Sequence, residues 1–153
     1  MGIKSFQGAR EEQKKKYNAP ILVEDYMTKN LVLFKPDQSI LEVMELFLKH
    51  RISGGPVCDE NGHLVGIISE ADCMKQISES RYFNMPILDK NVENFMTRDV
   101  ETIPHDMNIF DAASRFYKGH RRRLPVMDHG KLVGQISRKD IVVAALKLNS
   151  HNY

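Results

Sequence analysis

The sequence predicts a mixed α/β (α+β) protein built from two copies of one unit, in which a small sheet packs against helices. Two observations support this fold class. The stretch LVGIISEAD at 64–72 returns as LVGQISRKD at 132–140, with six of nine residues identical. In both copies an apolar, β-branched run typical of a strand passes through a Gly into a Ser-x-x-Asp pattern typical of a helix start. Such an internal repeat divides the chain into two structural units.

The duplication extends on both sides of this motif. Matching segments lie 69 positions apart: YMT at 26–28 with FMT at 95–97, FLK at 47–49 with FYK at 116–118, and PV at 56–57 with PV at 125–126. We therefore expect a polar N-terminal extension, a first repeat with its linker, a second repeat and a disordered tail, at residues 1–20, 21–90, 91–148 and 149–153.

Each half begins with a short strand and a capped helix in the predicted order. The apolar run at 31–34 predicts a buried strand, and residues 100–103 are predicted to form the corresponding strand of the second half. Ser39 is a helix N-cap, and Glu42 three residues later completes a capping-box pattern. Asn108 is predicted to cap the corresponding helix of the second half.

A hairpin and a second helix complete each half. Asn61-Gly62 is a strong signal for the tight turn of the first hairpin. The helix of the first repeated motif is predicted to end near Ser80. The linker that follows is more apolar than a free one, and we expect Tyr82, Phe83 and Met85 to pack along the surface.

Composition places the chain among ordinary globular proteins. It has 153 residues, 42% hydrophobic and 27% charged, and a formal net charge of +2. The longest apolar run, 141–146, is far shorter than the roughly 20 residues of a membrane-spanning helix, so we expect a cytoplasmic protein without a membrane partner. Cys58 and Cys73 are too few for a disulfide framework, and small buried thiols are favoured over a zinc site with His63.

The repeated Ser and Asp allow two interpretations. Ser69 with Asp72, and Ser137 with Asp140, occupy the N-cap and N3 positions of a helix, where together they stabilise it by ~1 kcal/mol. Spacing alone favours this purely structural role. A helix N-terminus reached from a Gly also suits an anionic or polyhydroxyl ligand, and an Asp there can accept both hydroxyls of a ribose.

Taken together, these motifs resemble a tandem CBS-domain protein, a pair of the regulatory modules named after cystathionine β-synthase. The resemblance covers residues 21–148 and rests on the Met-Thr segments, on ISGGPV at 52–57 and RLPV at 123–126, and on both Gly-x-x-Ser-x-x-Asp motifs. It implies a pseudo-twofold pair of repeats with clefts between them, and a disc-like homodimer.

The resemblance also implies a regulatory adenosyl ligand, with AMP expected first among AMP, ADP and ATP. The residues implied on its ribose and phosphate side are Ser137, Asp140, Ser69, Asp72, Arg122 and Arg123. Those implied on its adenine side are Ile52, Ser53, Gly54, Arg121 and Thr102. The two sites are expected to be unequal, because Ser53 and Gly54 carry no charge where the second half has arginines, and because Gly55 replaces a bulkier apolar residue.

The predicted function is a non-catalytic, energy-sensing module that signals ligand binding to a separate protein. A ligand-free dimerisation scaffold and an S-adenosylmethionine sensor are the alternatives. An enzyme is not expected, because the sequence lacks a catalytic triad order, a metal motif and a phosphate-cradling Gly-rich loop. His105-Asp106 is interpreted as turn chemistry. A nucleic-acid partner is not expected either, because there is no helix-turn-helix pattern and no overall basicity.

Overall fold

The computed structural model describes residues 21–83 and 90–151, and these form a mixed α/β fold that confirms the predicted class. The described elements are four helices, α1 to α4, and five strands, β1 to β5. In chain order they are α1 (Ile40–His50), β1 (Gly54–Cys58), β2 (Leu64–Ser69), α2 (Glu70–Phe83), β3 (Ile103–Pro104), α3 (Ile109–Gly119), β4 (Arg123–Asp128), β5 (Lys131–Ser137) and α4 (Arg138–His151).

The two predicted helix caps are present. The Ser39 hydroxyl accepts a hydrogen bond from the Glu42 amide at 3.3 Å, and the Asn108 side chain accepts one from the Asp111 amide at 2.9 Å. Each cap satisfies a backbone donor that the first turn of a helix leaves without an intrahelical partner. The capping-box pattern predicted that the Glu42 carboxylate would accept a hydrogen bond from the backbone amide of Ser39. Instead, it accepts one from the Gln38 side chain.

The strands form one two-stranded and one three-stranded sheet, in the orders β1-β2 and β3-β4-β5. Strands β1 and β2 are antiparallel, and Gly54 lies opposite Ser69. The turn between them is the predicted one: Gly62 has a φ of +80°, and the Asp59 carboxylate accepts hydrogen bonds from the amides of Asn61 and His63, both at 2.9 Å. This turn fixes the register that brings Ser69 beside the start of β1.

The first predicted strand of each half is shorter than expected. Within 31–34, Phe34 alone forms a β-bridge, with Val57, and Leu33 is 52% exposed. In the second half the strand begins only at Ile103, the last residue of the run predicted at 100–103. Both segments are therefore paired over a shorter length than the sequence predicted, and the paired residue within each, Phe34 or Ile103, is buried.

The second helix of each half is longer than expected. Helix α2 continues past Ser80 to Phe83, and α4 continues to His151, so Asn149 and Ser150 are helical rather than part of a tail. Leu148 explains the second extension, because it is buried against Ile109 and holds the last turns of α4 to the core. The predictions for residues 1–20, for the packing of Tyr82, Phe83 and Met85, and for 152–153 lie outside the described residues and side chains.

The fold divides into two compact units, and each unit includes residues from the other sequence repeat. We call them unit A, whose described residues are 21–28, 103–126 and 134–151, and unit B, with 29–83, 90–102 and 127–133. In unit A, Thr28 and Gln135 exchange two backbone hydrogen bonds of 2.9 and 3.0 Å. In unit B, Ile67 and Thr97 exchange the equivalent pair, at 2.9 and 2.8 Å. Each Met-Thr segment is therefore paired with the Leu-Val-Gly strand of the other repeat.

This exchange explains the Gly of the repeated motif. A Cβ atom on Gly134 would lie 2.5 Å from the Met27 sulfur and 2.9 Å from the Thr28 carbonyl oxygen. On Gly66 it would lie 2.8 Å from the Met96 sulfur and 2.9 Å from the Thr97 carbonyl. Only a residue without a side chain lets the Met-Thr backbone approach the strand this closely.

Gly55, the unexpected residue before the first Pro-Val, is explained by the core of unit B. Its added Cβ would lie 2.7 Å from the Phe34 ring. That ring is fully buried and packs edge-on against Phe47, with 5.4 Å between the ring centroids. The bulk that the second half places at Leu124 is thus supplied in the first half by Phe34.

Both cysteines are buried thiols, as predicted. Burial raises the pKa of Cys58, and it raises the pKa of Cys73 to about 11, so neither is a ready nucleophile at neutral pH. Among residues 21–83 and 90–151 no three His, Cys, Asp or Glu side chains are grouped as a metal site would need. In the same ranges, no helix combines the length and apolar character of a membrane span.

Candidate functional site

Ser69 and Asp72 meet where β2 passes into α2 in unit B. The Ser69 amide donates to the Asp72 carboxylate oxygen Oδ2 at 2.8 Å, and the Ser69 hydroxyl donates to the same oxygen at 3.0 Å. The Asp72 amide lies 3.4 Å from the Ser69 hydroxyl oxygen. The two residues therefore cap the helix reciprocally, as the structural interpretation of the motif predicted.

Ser137 and Asp140 repeat this geometry where β5 passes into α4 in unit A. The Ser137 amide donates to Asp140 Oδ2 at 2.8 Å, and the Asp140 amide donates to the Ser137 hydroxyl at 3.2 Å. All four motif residues are half-buried, so water or a ligand can reach them. The two motifs are built alike in their respective units.

Capping uses only one oxygen of each carboxylate. The hydrogen bonds of Asp72 and Asp140 all end on Oδ2, and within residues 21–83 and 90–151 no protein donor reaches Oδ1 of either residue. Because an ionised carboxylate can accept about four hydrogen bonds, each Asp keeps acceptor capacity after the helix is capped. The structural role of the motif and a binding role are therefore compatible.

The segment before each Pro-Val strand lies beside the start of the motif helix. The Glu70 amide donates to the Ser53 carbonyl at 2.9 Å, and the Arg138 amide donates to the Arg122 carbonyl at 3.2 Å. The structure thus brings the predicted residues together: Ser53 and Gly54 with Ser69 and Asp72 in unit B, and the three consecutive arginines with Ser137 and Asp140 in unit A.

The predicted residues of these segments differ in accessibility. Arg121 and Arg122 are exposed, whereas Arg123 and Ser53 are half-buried and Gly54 is buried. Ile52 packs partly against the unit B core, and Thr102 is half-buried immediately before β3. Arg121 and Arg122 are therefore the most accessible of the predicted contacts.

Arg138 joins the site, although its sequence pattern did not single it out. Its guanidinium Nε donates to the Arg121 carbonyl at 2.7 Å, which ties the arginine loop to the first turn of α4. The matching residue of the first repeat is Glu70. The change of charge from Glu70 to Arg138 was the available signal.

Charge separates the two candidate sites. The matched positions of unit B, 52–54 and 69–72, hold two acidic residues, Glu70 and Asp72, and no basic one. Those of unit A, 121–123 and 137–140, hold five basic residues and Asp140. Basic side chains in the first helical turn oppose the helix dipole by ~0.3–1 kcal/mol each, so Arg138 and Lys139 do not improve α4 as a helix.

His105 makes a contact that its sequence position did not predict. Its Nδ1 lies 2.6 Å from Glu24 Oε2, whereas the sequence suggested only turn chemistry with Asp106. Neighbouring backbone bonds hold the same segments together, from the amides of Val23 and Glu24 to the carbonyls of Met107 and His105. The pair therefore helps to fasten the N-terminal segment within unit A.

The family model of the CBS domain matches the chain twice, at residues 23–79 and 92–147. The chain belongs to the CBS domain family. The first match runs from the 3-10 turn at Val23–Asp25 into α2, and the second from the turn at Val92–Asn94 into α4.

Relatives and solved structures agree with this assignment. Uncharacterized protein MJ1426 of Methanocaldococcus jannaschii is 34% identical, over 82% of this chain and 92% of its own. The crystal structure of CBSX2 from Arabidopsis thaliana in complex with AMP superposes with a TM-score of 0.74 and 34% identity, covering 85% of this chain and 99% of that one. The CBS domain pair of protein MJ0100, in complex with 5′-methylthioadenosine and S-adenosyl-L-methionine, gives 0.71 and 31%, covering 84% and 98%. The chain spans only 23–46% of the length of some other relatives.

Proposed function

We propose that this protein is a non-catalytic regulatory module that binds an adenine nucleotide, AMP before ADP or ATP. The observation that supports this most directly is the second oxygen of the motif carboxylates. Each Asp caps its helix through Oδ2, while Oδ1 stays available at a half-buried position beside the loop that precedes the Pro-Val strand. Related CBS pairs crystallised with adenosyl ligands identify the class of molecule to test there.

In unit A the proposed contacts follow from the chemistry of the side chains. Asp140 Oδ1 accepts a ribose hydroxyl, as acidic residues do in dinucleotide-binding folds, and the Ser137 hydroxyl lies beside it. Arg122 and Arg123 bind the phosphate, because guanidinium groups match phosphate oxygens in charge and geometry. Arg121 is the proposed adenine-side residue of unit A. Thr102, which belongs to unit B and directly precedes β3, is also proposed on the adenine side, as the family resemblance implies.

In unit B the same scheme assigns the ribose to Ser69 and Asp72, and adenine to the backbone around Ile52, Ser53 and Gly54. This segment offers no cation for a phosphate. We therefore expect AMP to bind in unit A much more tightly than in unit B.

The regulatory part of the proposal concerns what binding does. A ligand shifts a conformational equilibrium only if it binds one state more tightly than the other, so the nucleotide must favour one arrangement of the protein. We propose that a separate protein in the cytoplasm responds to this arrangement, that the module senses energy state through AMP and ATP, and that it acts as a homodimer. Incubation with ATP should then give binding without turnover.

Calorimetry on the intact protein tests the proposed site. Asp140→Asn removes the charge but keeps an oxygen that can accept the Ser137 amide, so the helix cap is retained. We expect it to weaken AMP binding tenfold or more, since hydrogen bonds to charged groups are worth ~1.5–3 kcal/mol. Asp72→Asn should change AMP affinity less. Asn108→Ala is the matched control, because it removes a helix cap in unit A away from the motif.

Thermal denaturation separates this function from the ligand-free scaffold. A ligand that binds the native state raises the melting temperature by mass action. A shift with AMP that Asp140→Asn abolishes and Asn108→Ala preserves supports the proposal. Unchanged melting temperatures with AMP, ADP, ATP and S-adenosylmethionine would favour the scaffold.

A further inference from the structure

We propose that the two motifs bind adenosyl ligands of different charge, and that Arg138 and Glu70 set the difference. Unit A takes a nucleoside 5′-phosphate. Unit B takes a nucleoside whose 5′ substituent is neutral or cationic, such as a thioether or a sulfonium. This inference rests on the proposed function and assigns a ligand class to each site.

The backbone places Glu70 and Arg138 at equivalent points. Each is the first residue of its helix, directly after the motif Ser, and each donates its amide to the segment before the Pro-Val strand: Glu70 to Ser53 at 2.9 Å, Arg138 to Arg122 at 3.2 Å. Both side chains are exposed. The backbone geometry is thus the same at the two positions, and they differ in the charge that each side chain places beside the motif carboxylate.

Arg138 favours a phosphate in two ways. Its Nε bond to the Arg121 carbonyl, at 2.7 Å, restrains the segment that leads through Arg122 to Arg123 at the start of β4. A guanidinium has five N–H donors, so four remain for a ligand or solvent. Since the helix dipole opposes cations at this end, an anionic ligand relieves an unfavourable arrangement that α4 otherwise keeps.

Glu70 acts in the opposite sense. With Asp72 it places two carboxylates in the first turn of α2, and the matched positions 52–54 supply no cation. A phosphate monoester carries about 1.5 to 2 negative charges at neutral pH, so it is repelled there. A thioether avoids this repulsion, and a sulfonium or ammonium is attracted. The helix dipole is common to both sites and does not discriminate between them.

Three probes that share one nucleoside test the assignment: AMP, 5′-methylthioadenosine and adenosine. Affinities are measured by calorimetry on Asp72→Asn, which leaves the unit A site intact, and on Asp140→Asn, which leaves the unit B site intact. We expect Asp72→Asn to bind AMP at least tenfold more tightly than methylthioadenosine, and Asp140→Asn to show the reverse order. Adenosine reports the contribution of base and ribose in each variant.

Charge exchange at the two helical positions completes the test. Arg138→Glu in Asp72→Asn should weaken AMP about tenfold, and Glu70→Arg in Asp140→Asn should strengthen it about tenfold, with adenosine changing less than twofold in both. Arg138→Gln and Glu70→Gln should lie between. Because both side chains are exposed, the variants keep the buried packing of each unit.

The outcomes separate this inference from the proposed function. The same ligand order in both single-site variants, or charge exchanges that leave the ratio of AMP to methylthioadenosine affinity unchanged, would overturn the inference and leave adenosyl binding standing. Absence of binding of all three probes to the unmodified protein would overturn the proposed function, and the inference with it.

Discussion

Gly134→Ala tests the exchanged Met-Thr segment on which unit A depends. The added Cβ would lie 2.5 Å from the Met27 sulfur, 2.9 Å from Met27 Cγ and 2.9 Å from the Thr28 carbonyl oxygen. The methionine can swing away, but the carbonyl belongs to the pair of hydrogen bonds between Thr28 and Gln135. Moving it lengthens those bonds, so we expect a loss of about 2 kcal/mol in unfolding free energy, the middle of the range for overpacking.

The assay is urea and thermal denaturation followed by circular dichroism. A loss of about 2 kcal/mol corresponds to roughly 4–8 °C in melting temperature for a chain of this size. Met27→Ala removes the sulfur contact but leaves the carbonyl contact, so it should recover part of the loss in the Gly134→Ala background. Gly130→Ala is the contrasting variant: it strains a backbone at φ +79°, a strain that Gly134 does not have, but nothing lies within 4 Å of the new Cβ, so Met27→Ala should recover none of its loss. The close approach of the Met-Thr segment to Gly134 would be refuted if Gly134→Ala were as stable as the unmodified protein. It would also be refuted if Met27→Ala recovered as much unfolding free energy in the Gly130→Ala background as in the Gly134→Ala background.

Three further predictions follow from the packing and titration of the described residues. Phe34→Ala should lower unfolding free energy by about 3–5 kcal/mol, because the ring is fully buried against Phe47 and fills the space over Gly55; a loss below 1 kcal/mol in urea denaturation would contradict that packing. Asn108→Ala should cost about 1 kcal/mol through the lost cap of α3, measured by the same method. Burial raises the pKa of the Cys73 thiol to about 11, so the folded protein holds the thiol proton more tightly than the unfolded chain does. The free energy of unfolding should therefore fall as pH rises from about 9 to about 11. Denaturation measured across this pH range should show a smaller fall for Cys73→Ala.

Contacts between residues that are close in the sequence could be predicted, whereas pairing between distant residues could not. The caps at Ser39 and Asn108, the turn at Gly62 and the reciprocal Ser-Asp caps depend on residues two to four positions apart, so their patterns predicted them. The pairing of Thr28 with Gln135 joins residues more than one hundred positions apart, and no local pattern specifies such a partner. The strand predicted at 31–34 failed for a related reason, because pairing there depends on a partner strand that meets only Phe34.

The residues of the candidate site show the same difference between short-range and long-range contacts. The motif residues and the arginines were identified from the duplication and from the resemblance that it supports. Arg138 was not, because its contribution is a side-chain bond to the Arg121 carbonyl, seventeen positions earlier. A comparison of the two repeats that asked where charge is reversed, rather than where residues are identical, would have found it beside Glu70.

The two repeats share their backbone geometry at the motif but differ in charge, and the exchanged Met-Thr segments give a physical reason why the geometry is the same in both. Gly66 and Gly134 each admit a Met-Thr segment from the other repeat, so a change at either glycine disturbs a pairing to which both repeats contribute. The backbone geometry around these glycines is therefore constrained in both repeats. Glu70 and Arg138 are exposed, and each holds the neighbouring segment through a backbone amide that any residue except proline supplies, to which Arg138 adds its side-chain bond to the Arg121 carbonyl. Their side chains could diverge without altering the shared geometry, and so a duplicated fold can carry two sites of different ligand preference.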